Sequence, residues 1–365
     1  MVLNEEQALL KDTIADFLDE HAPTTLLREM RDTPNSPAWP APVWSQLCEM
    51  GVPACALPED LGGLGFGWLG LGTILEEAGK RLSPLPLLSS VAVATSVVRH
   101  CASQAQLDTL LSDMATGTSV LTLAHQEQST FHQQACDTIE HDGKVSGTKV
   151  MVMDATGADH LLVSAKRHNG SQGVALVPTN SAGLHIDEET LFDGRKYARI
   201  SLFEVSVDTW LEGADVTTGL QRALDEAAIA VACDMMGGAR ELLERTVSYL
   251  CEREQFGVKI GSFQALQHRC AQAYCDLELA ESTLLAALFA LDNGDPRISE
   301  HASRAKAMAG DIYQHISNEA VQLHGGMGVT DEMDIGLFLK RSRVCNQLFG
   351  DSSYHRARFA TLRGF

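Results

Sequence analysis

Residues 253–268 read Arg-Glu-Gln-Phe-Gly-Val-Lys-Ile-Gly-Ser-Phe-Gln-Ala-Leu-Gln-His, a set of groups that helix packing alone does not require. Arg253 offers a fixed cation with a planar fork of donors. Phe256 offers an apolar face, Gly257 lets a backbone come close, and Gln264 can donate and accept at once. Placed between two long helical patterns, the stretch marks a point where two helices and a ligand meet. A plainer reading puts Arg253 in a surface ion pair and Phe256 in a bundle core. A second candidate is Gln322-Leu-His-Gly325-Gly326. A Gln-x-x-Gly-Gly turn at a helix end exposes backbone N–H groups to an anion, or simply caps the helix. His324 has no Cys or His partners at metal spacing and reads as a packed or surface histidine, so no metal site is expected.

These residues need elements to hold them. Ala8, Leu9, Ile14, Phe17 and Leu18 fall at helical spacing within 5–19, and a Pro-rich stretch from Pro34 to Pro42 precedes a second helix around Trp44–Met50. Pro58-Glu-Asp-Leu-Gly-Gly-Leu-Gly-Phe-Gly reads as a loop that positions helices, since no strand precedes it and no Gly-Lys-Ser/Thr follows. From about residue 120 the pattern turns to short β-prone runs: Val120–Ala124, Lys149–Met153, Leu161–Ala165, Val174–Val177 and Ala198–Phe203. After Thr217 it is helical again, with Leu220–Arg253, Gln264–Leu291, Pro296–Leu323 and Leu337–Phe349 as four helices. Gly237-Gly238 inside the first of them costs roughly 1 kcal/mol per glycine relative to alanine and marks a close helix–helix approach. The expected fold is α+β in three parts: an N-terminal helical domain (1–119), a middle β-barrel or sandwich (120–213) and a C-terminal four-helix bundle (214–365).

The bulk numbers exclude some functions. A net charge of −20 argues against nucleic acid and against an anionic membrane surface. No apolar run approaches the ~18–20 residues of a membrane span, and the first residues lack a secretory signal. Nine scattered cysteines without a C-x-x-C fit reduced thiols in a cytoplasmic protein.

Several of these pieces, in this order, resemble the acyl-CoA dehydrogenase family in its short bacterial form. They are Arg253-Glu-Gln-Phe-Gly with Phe263-Gln264, and Ala320-Val-Gln-Leu-His-Gly-Gly-Met-Gly-Val-Thr. Pro58-Glu-Asp-Leu-Gly-Gly, Gly147-Thr-Lys149 and Gly350-Asp-Ser-Ser-Tyr-His-Arg support them. The resemblance covers essentially the whole chain. It implies FAD, with Arg253, Phe256 and Gln264 on its diphosphate and adenine arm, and with Gln322, Gly325 and Gly326 of one subunit reaching the FAD held mainly by its neighbour. It implies an acyl-CoA substrate, an electron-transfer flavoprotein as acceptor and an oligomer. Two family features are altered. Met151 and Met153 stand where an aromatic and a hydroxyl residue are expected over the flavin, and the Thr-Glu-Pro motif has become His125-Gln126-Glu127-Gln128.

The family reaction takes the α-proton and the β-hydride of a thioester. A carboxylate must remove that proton in a dry pocket that raises its pKa, while hydrogen bonds stabilise the developing enolate. The two family positions for this glutamate fall on Ala227, followed by Ala228, and on Gly350. The near misses are Asp225 and Glu226, of which Glu226 is rotated by ~100° on a helix, and Asp351, which also fits as an N-cap of the helix that follows. This absence points to a non-catalytic partner in an α2β2 complex with a glutamate-bearing relative; such pairs in the family act on steroid side chains and other bulky acyl-CoAs. A homo-oligomer with its own activity, a flavin oxidase or monooxygenase on the same fold, and a flavin-free structural subunit are the alternatives.

Overall fold

The computed structural model describes residues 3–134 and 137–365; Met1, Val2, Ala135 and Cys136 lie outside them. The N-terminal part holds α1 (Glu5–His21), α2 (Thr24–Asp32), α3 (Ala41–Glu49), α4 (Gly67–Arg81), a π-helical stretch Leu87–Ala94 that runs into α5 (Thr95–Cys101), and α6 (Gln104–Ala115). A reciprocal capping box starts α1: the Asn4 side chain accepts from the Gln7 N–H at 2.7 Å, and the Gln7 side chain accepts from the Asn4 N–H at 3.1 Å.

The middle part contains β1 (Leu121–Ala124), β2 (Ile139–His141), β3 (Lys144–Met153), β4 (His160–Lys166), β5 (Gln172–Pro178), β6 (Leu184–Thr190), β7 (Lys196–Ser206) and β8 (Thr209–Trp210). The order along the sheet is β6-β7-β3-β2-β4-β5-β8, with β1 parallel to β4. Of the two forms expected, barrel or sandwich, the path among the described residues is not closed into a barrel. Its end strands β6 and β8 pair with β7 and β5 and not with each other, and β2, three residues long, links the two halves by meeting β4 through Ile139↔Lys166. The halves on either side share one core of Val145, Val163, Ala175 and Ile200, as the faces of a sandwich do.

The C-terminal part is α7 (Val216–Glu252), a hairpin of β9 (Glu254–Gln255) and β10 (Val258–Lys259), then α8 (Gln264–Asp292), α9 (Ile298–His324), α10 (Ile335–Gln347) and α11 (Ser352–Arg363). The first four helices are those read from the sequence, and α11 packs along α9. The glycine pair of α7 does what its cost implied. A Cβ on Gly237 would lie 1.9 Å from the Glu76 carbonyl of α4, and one on Gly238 would lie 2.4 Å from Tyr313 Oη of α9.

One buried arginine ties the parts together. Arg341 of α10 donates to Asp234 of α7 and to Asp193 and Tyr197 of the middle part, each at 3.1 Å. Arg195 reaches the other way, donating to the carbonyls of Ser83 at 2.9 Å and Leu85 at 3.1 Å. The eight described cysteines are free thiols. No helix among the described residues is long and apolar enough to cross a membrane.

Candidate active site and cofactor cradle

The six residues assigned to a cofactor gather at one end of the bundle. Arg253 caps α7, its N–H bonded to the Tyr249 carbonyl at 2.9 Å. The chain then turns through β9 and β10, paired Gln255↔Val258 and Glu254↔Lys259. Phe256 and Gly257 make the turn at φ of 56° and 78°. Two successive left-handed residues form the tight hairpin turn that favours Asn-Gly, and a phenylalanine there costs about 1–2 kcal/mol. That strained Phe256 is 91% exposed, with only the edge of Phe263 beside it at 6.2 Å. Arg253 is exposed too, and among the described residues no carboxylate pairs with it. The surface ion pair and the core phenylalanine of the plainer reading are both absent. Gln264 opens α8, exposed, and Phe263 before it supplies no side-chain cap.

The end of α9 meets this corner. His324 stacks on Tyr249, one turn before Arg253, at 4.2 Å between ring centroids, and Arg269 of α8 pairs with Glu319 of α9. Gly325 ends α9 at φ 60°, ψ −135°, its N–H bonded to the Gln322 carbonyl. Gln322, Gly325 and Gly326 are exposed, and no atom lies within 4 Å of where a Cβ on either glycine would sit.

The base positions are the opposite kind of place. Ala227 and Ala228 are buried inside α7. Asp225 beside them is forked by Arg358 and accepts from Ser299 Oγ at 2.6 Å. Glu226 points to α5: its Oε1 meets His100 Nε2 at 2.9 Å and accepts from Arg222 Nε at 2.8 Å. Burial pushes that carboxyl up, but His100 and Arg222 win and hold it below the ordinary range.

At the second position Gly350 sits at φ 99°, where a Cβ would lie 2.4 Å from Tyr354 Cδ1. Its carbonyl accepts at 2.9 Å from Lys306, a fully buried lysine that also donates to the Asn346 carbonyl. Asp351 caps α11, its carboxylate accepting from the Tyr354 N–H at 2.7 Å. Phe131 fills the adjoining space, edge-on to Tyr354 at 5.3 Å and to Phe349 at 6.4 Å. Sequence reading missed Phe131, because its only signal was an aromatic residue in a polar loop.

The altered middle-domain motifs also have definite places. Lys149 is fully buried and donates to Glu127 Oε1 at 2.8 Å, Ser164 Oγ at 3.2 Å and the His125 carbonyl at 3.2 Å. Burial would raise the Glu127 carboxyl, but Lys149 pulls it down to about 2. Met151 stands half-buried at φ 54° in the bulge of β3, its sulfur beside Gln126 Nε2, whereas Met153 packs into the main core. A cleft of about 250 Å³ opens beside this motif, lined by His125, Gln126, Glu127, Gln128, His132 and Gln134.

Two family models match the chain: the acyl-CoA dehydrogenase N-terminal domain over residues 4–118 and the C-terminal domain over 217–361. Acyl-CoA dehydrogenase IpdE2 of Mycolicibacterium smegmatis is 28% identical, over 95% of this chain and 96% of its own. A variant of the Tcur3481–Tcur3483 steroid ACAD superposes with a TM-score of 0.88 at 29% identity, covering 99% of this chain and 98% of that one. The ChsE4–ChsE5 complex from Mycobacterium tuberculosis, at 22% identity, has the same fold, with a TM-score of 0.89 over 100% of this chain and 98% of that one. The chain belongs to the acyl-CoA dehydrogenase family, FAD-dependent oxidoreductases that act on acyl-CoA.

Proposed function

We propose that this chain is the base-lacking subunit of an α2β2 acyl-CoA dehydrogenase, whose bundle end completes the FAD site of a glutamate-bearing relative. The observation that carries this reading is the state of Ala227 and Gly350. Neither is an acid, and each neighbouring acid is committed: Asp225 to Arg358, Glu226 to His100 and Arg222, and Asp351 to the cap of α11. Phe131 and Tyr354 occupy the space beside Gly350. The three functional units are 1–119, 120–213 and 214–365, the last of which carries the cofactor residues.

The bundle end fits FAD. A guanidinium unpaired among the described residues, two exposed amides and a pair of glycines with room on their side-chain face suit a dianionic diphosphate. Arg253 would grip the diphosphate, Phe256 would cover an apolar face of the adenine arm, and Gln264 and Gln322 would fix it by amide hydrogen bonds. Once bound, FAD supplies the acceptor for the β-hydride. The exposed, strained Phe256 supports a neighbour at this corner, since tertiary contact is what sustains such a turn. Likeness to a steroid ACAD and the two-subunit reading favour a bulky, ring-bearing acyl-CoA as the substrate of the pair. An electron-transfer flavoprotein is then the acceptor, and the cytoplasm, where free thiols persist, the compartment.

The test is expression of this chain alone and together with a related dehydrogenase that carries a glutamate at either base position. The pair is expected to bind FAD and dehydrogenate an acyl-CoA, and the single chain to show no turnover. A single chain that holds stoichiometric FAD and turns over acyl-CoA overturns the reading.

A further inference from the structure

Phe131 is an apolar residue in a polar loop, and a base-lacking subunit has no chemical task for it. Of residues 128–134 it alone is buried, with 7% exposure. The root of the loop is fixed. Glu127 accepts from the N–H groups of Asp137 at 2.9 Å and Thr138 at 2.8 Å and is bridged to buried Lys149 at 2.8 Å, which draws the two ends together as in an Ω-loop. His125 Nε2 lies 2.8 Å from the His132 carbonyl and, since a carbonyl only accepts, donates to it. The tip leans on another part of the molecule, at two points one helical turn apart on α11. The ring of Phe131 meets Tyr354 edge-on at 5.3 Å. The Gln133 amide, its oxygen toward the guanidinium, accepts from Arg358 Nε at 3.0 Å and Nη2 at 2.9 Å. An arginine only donates, so this is the orientation the pair requires.

The wall behind the ring does not depend on it. The Phe349 carbonyl lies 3.0 Å from His355 Nε2, the Gly350 carbonyl accepts from Lys306 at 2.9 Å, and Asp351 caps α11. A space whose lining is held from behind collapses only in part when its occupant leaves. The sides of this one are rings: Phe349, Tyr354 and His125 all face Phe131. Resting on the reading of Gly350 as an emptied base position, we propose that Phe131 stands in for an acyl chain: the 128–134 strap fills an apolar site beside Gly350 and so keeps acyl thioesters off this subunit. Taking the ring away leaves room for roughly six or seven carbons, a short acyl tail or a single ring. Phe131 thereby sets which subunit of the pair admits substrate.

The experiment titrates octanoyl-CoA and free coenzyme A into the full chain by calorimetry, as wild type, Phe131→Ala and Gln133→Ala, and assays each for dehydrogenation with FAD present. Phe131→Ala is expected to bind octanoyl-CoA about 10-fold or more tightly than wild type, with the affinity for free coenzyme A unchanged and no dehydrogenation. Gln133→Ala keeps the ring and frees one tie of the strap, so it should gain about 2- to 5-fold. Equal affinity for octanoyl-CoA in wild type and folded Phe131→Ala overturns the proposal, as does an equal gain for free coenzyme A. Where Phe131→Ala does not fold, the absence of any gain in Gln133→Ala overturns it instead. A Phe131→Ala chain that binds octanoyl-CoA and dehydrogenates it upholds the strap and overturns the base-lacking reading.

Discussion

The end of the bundle at Arg253, Gln264 and Gln322 and the buried positions at Ala227 of α7 and at Gly350 between α10 and α11 belong to the same C-terminal part, yet they are built on opposite terms. At the first, the polar groups are exposed, the guanidinium has no acid partner among the described residues, and a phenylalanine is held out in a left-handed turn. At the second, the acids have partners, a lysine is spent on two carbonyls, and aromatic rings fill the remaining space. An open polar site gains its free energy from something that arrives; a closed one has already gained it by folding. The contrast sets a site left open to a ligand against one that folding has already filled.

The largest test of the contrast is to put the missing acid back. Ala227→Glu places a carboxylate at a fully buried site on α7, beside two acids that already hold the nearby cations. We expect a loss of about 3–5 kcal/mol in stability, read as a lower urea midpoint, and no dehydrogenation by the single chain. A variant as stable as wild type would mean that this packing yields easily, and the comparison would fail.

Arg253→Ala probes the open end. Among the described residues no carboxylate loses a partner, so stability should stay within about 0.5 kcal/mol. Flavin affinity of the complex should fall roughly 10- to 100-fold, the scale of one charge-assisted hydrogen-bonded contact. Titration of flavin into the stripped complex measures this. Lost stability with unchanged flavin affinity would reverse the roles of the two regions.

Acid should attack the closed region. Burial, reinforced by Lys149, pushes His125 down to about 4, and burial reinforced by Lys306 pushes His355 down to about 3. Both values lie below the 6.5 of an unfolded histidine, so the unfolded chain binds protons that the native one refuses. Their contribution is complete above pH 6.5 and is lost as pH falls toward 4 and 3. Each histidine should remove about 1.4 kcal/mol per pH unit within its window. Urea midpoints measured from pH 7 to 4 give the slope, and His355→Gln should flatten it by one proton. An unchanged slope would show that His355 titrates normally in the folded chain.

The open region was far more legible in the sequence than the closed one. Arg253, Phe-Gly and Gln264 stand out because their types conflict with a helix pattern, and the conflict is local. The helices of the bundle and the strands of the middle part also follow from local periodicity. Phe131 could not be placed, since it sits in a loop between β1 and β2 and its packing against Phe349 and Tyr354 is a contact across the whole chain. The same holds for Arg341, whose two aspartates come from different parts, and for His324, whose burial depends on Tyr249. Ala227 and Gly350 were visible only as absences. What their neighbours do instead had to come from packing.

The smallest effect separates the two readings of Asp351. As the N-cap of α11, its carboxylate accepts from the Tyr354 N–H, and Asp351→Ala should cost about 1 kcal/mol. Asp351→Asn keeps an acceptor and should cost a few tenths. A base behaves differently: asparagine cannot take a proton, so both variants would abolish turnover alike. The two-subunit complex therefore distinguishes the roles by rank order. If stability falls in the order wild type, asparagine, alanine while turnover of the complex holds, Asp351 is a cap. If turnover vanishes in both at unchanged stability, the closed region contains the base after all, and the contrast with the open end would be one of exposure rather than of chemistry.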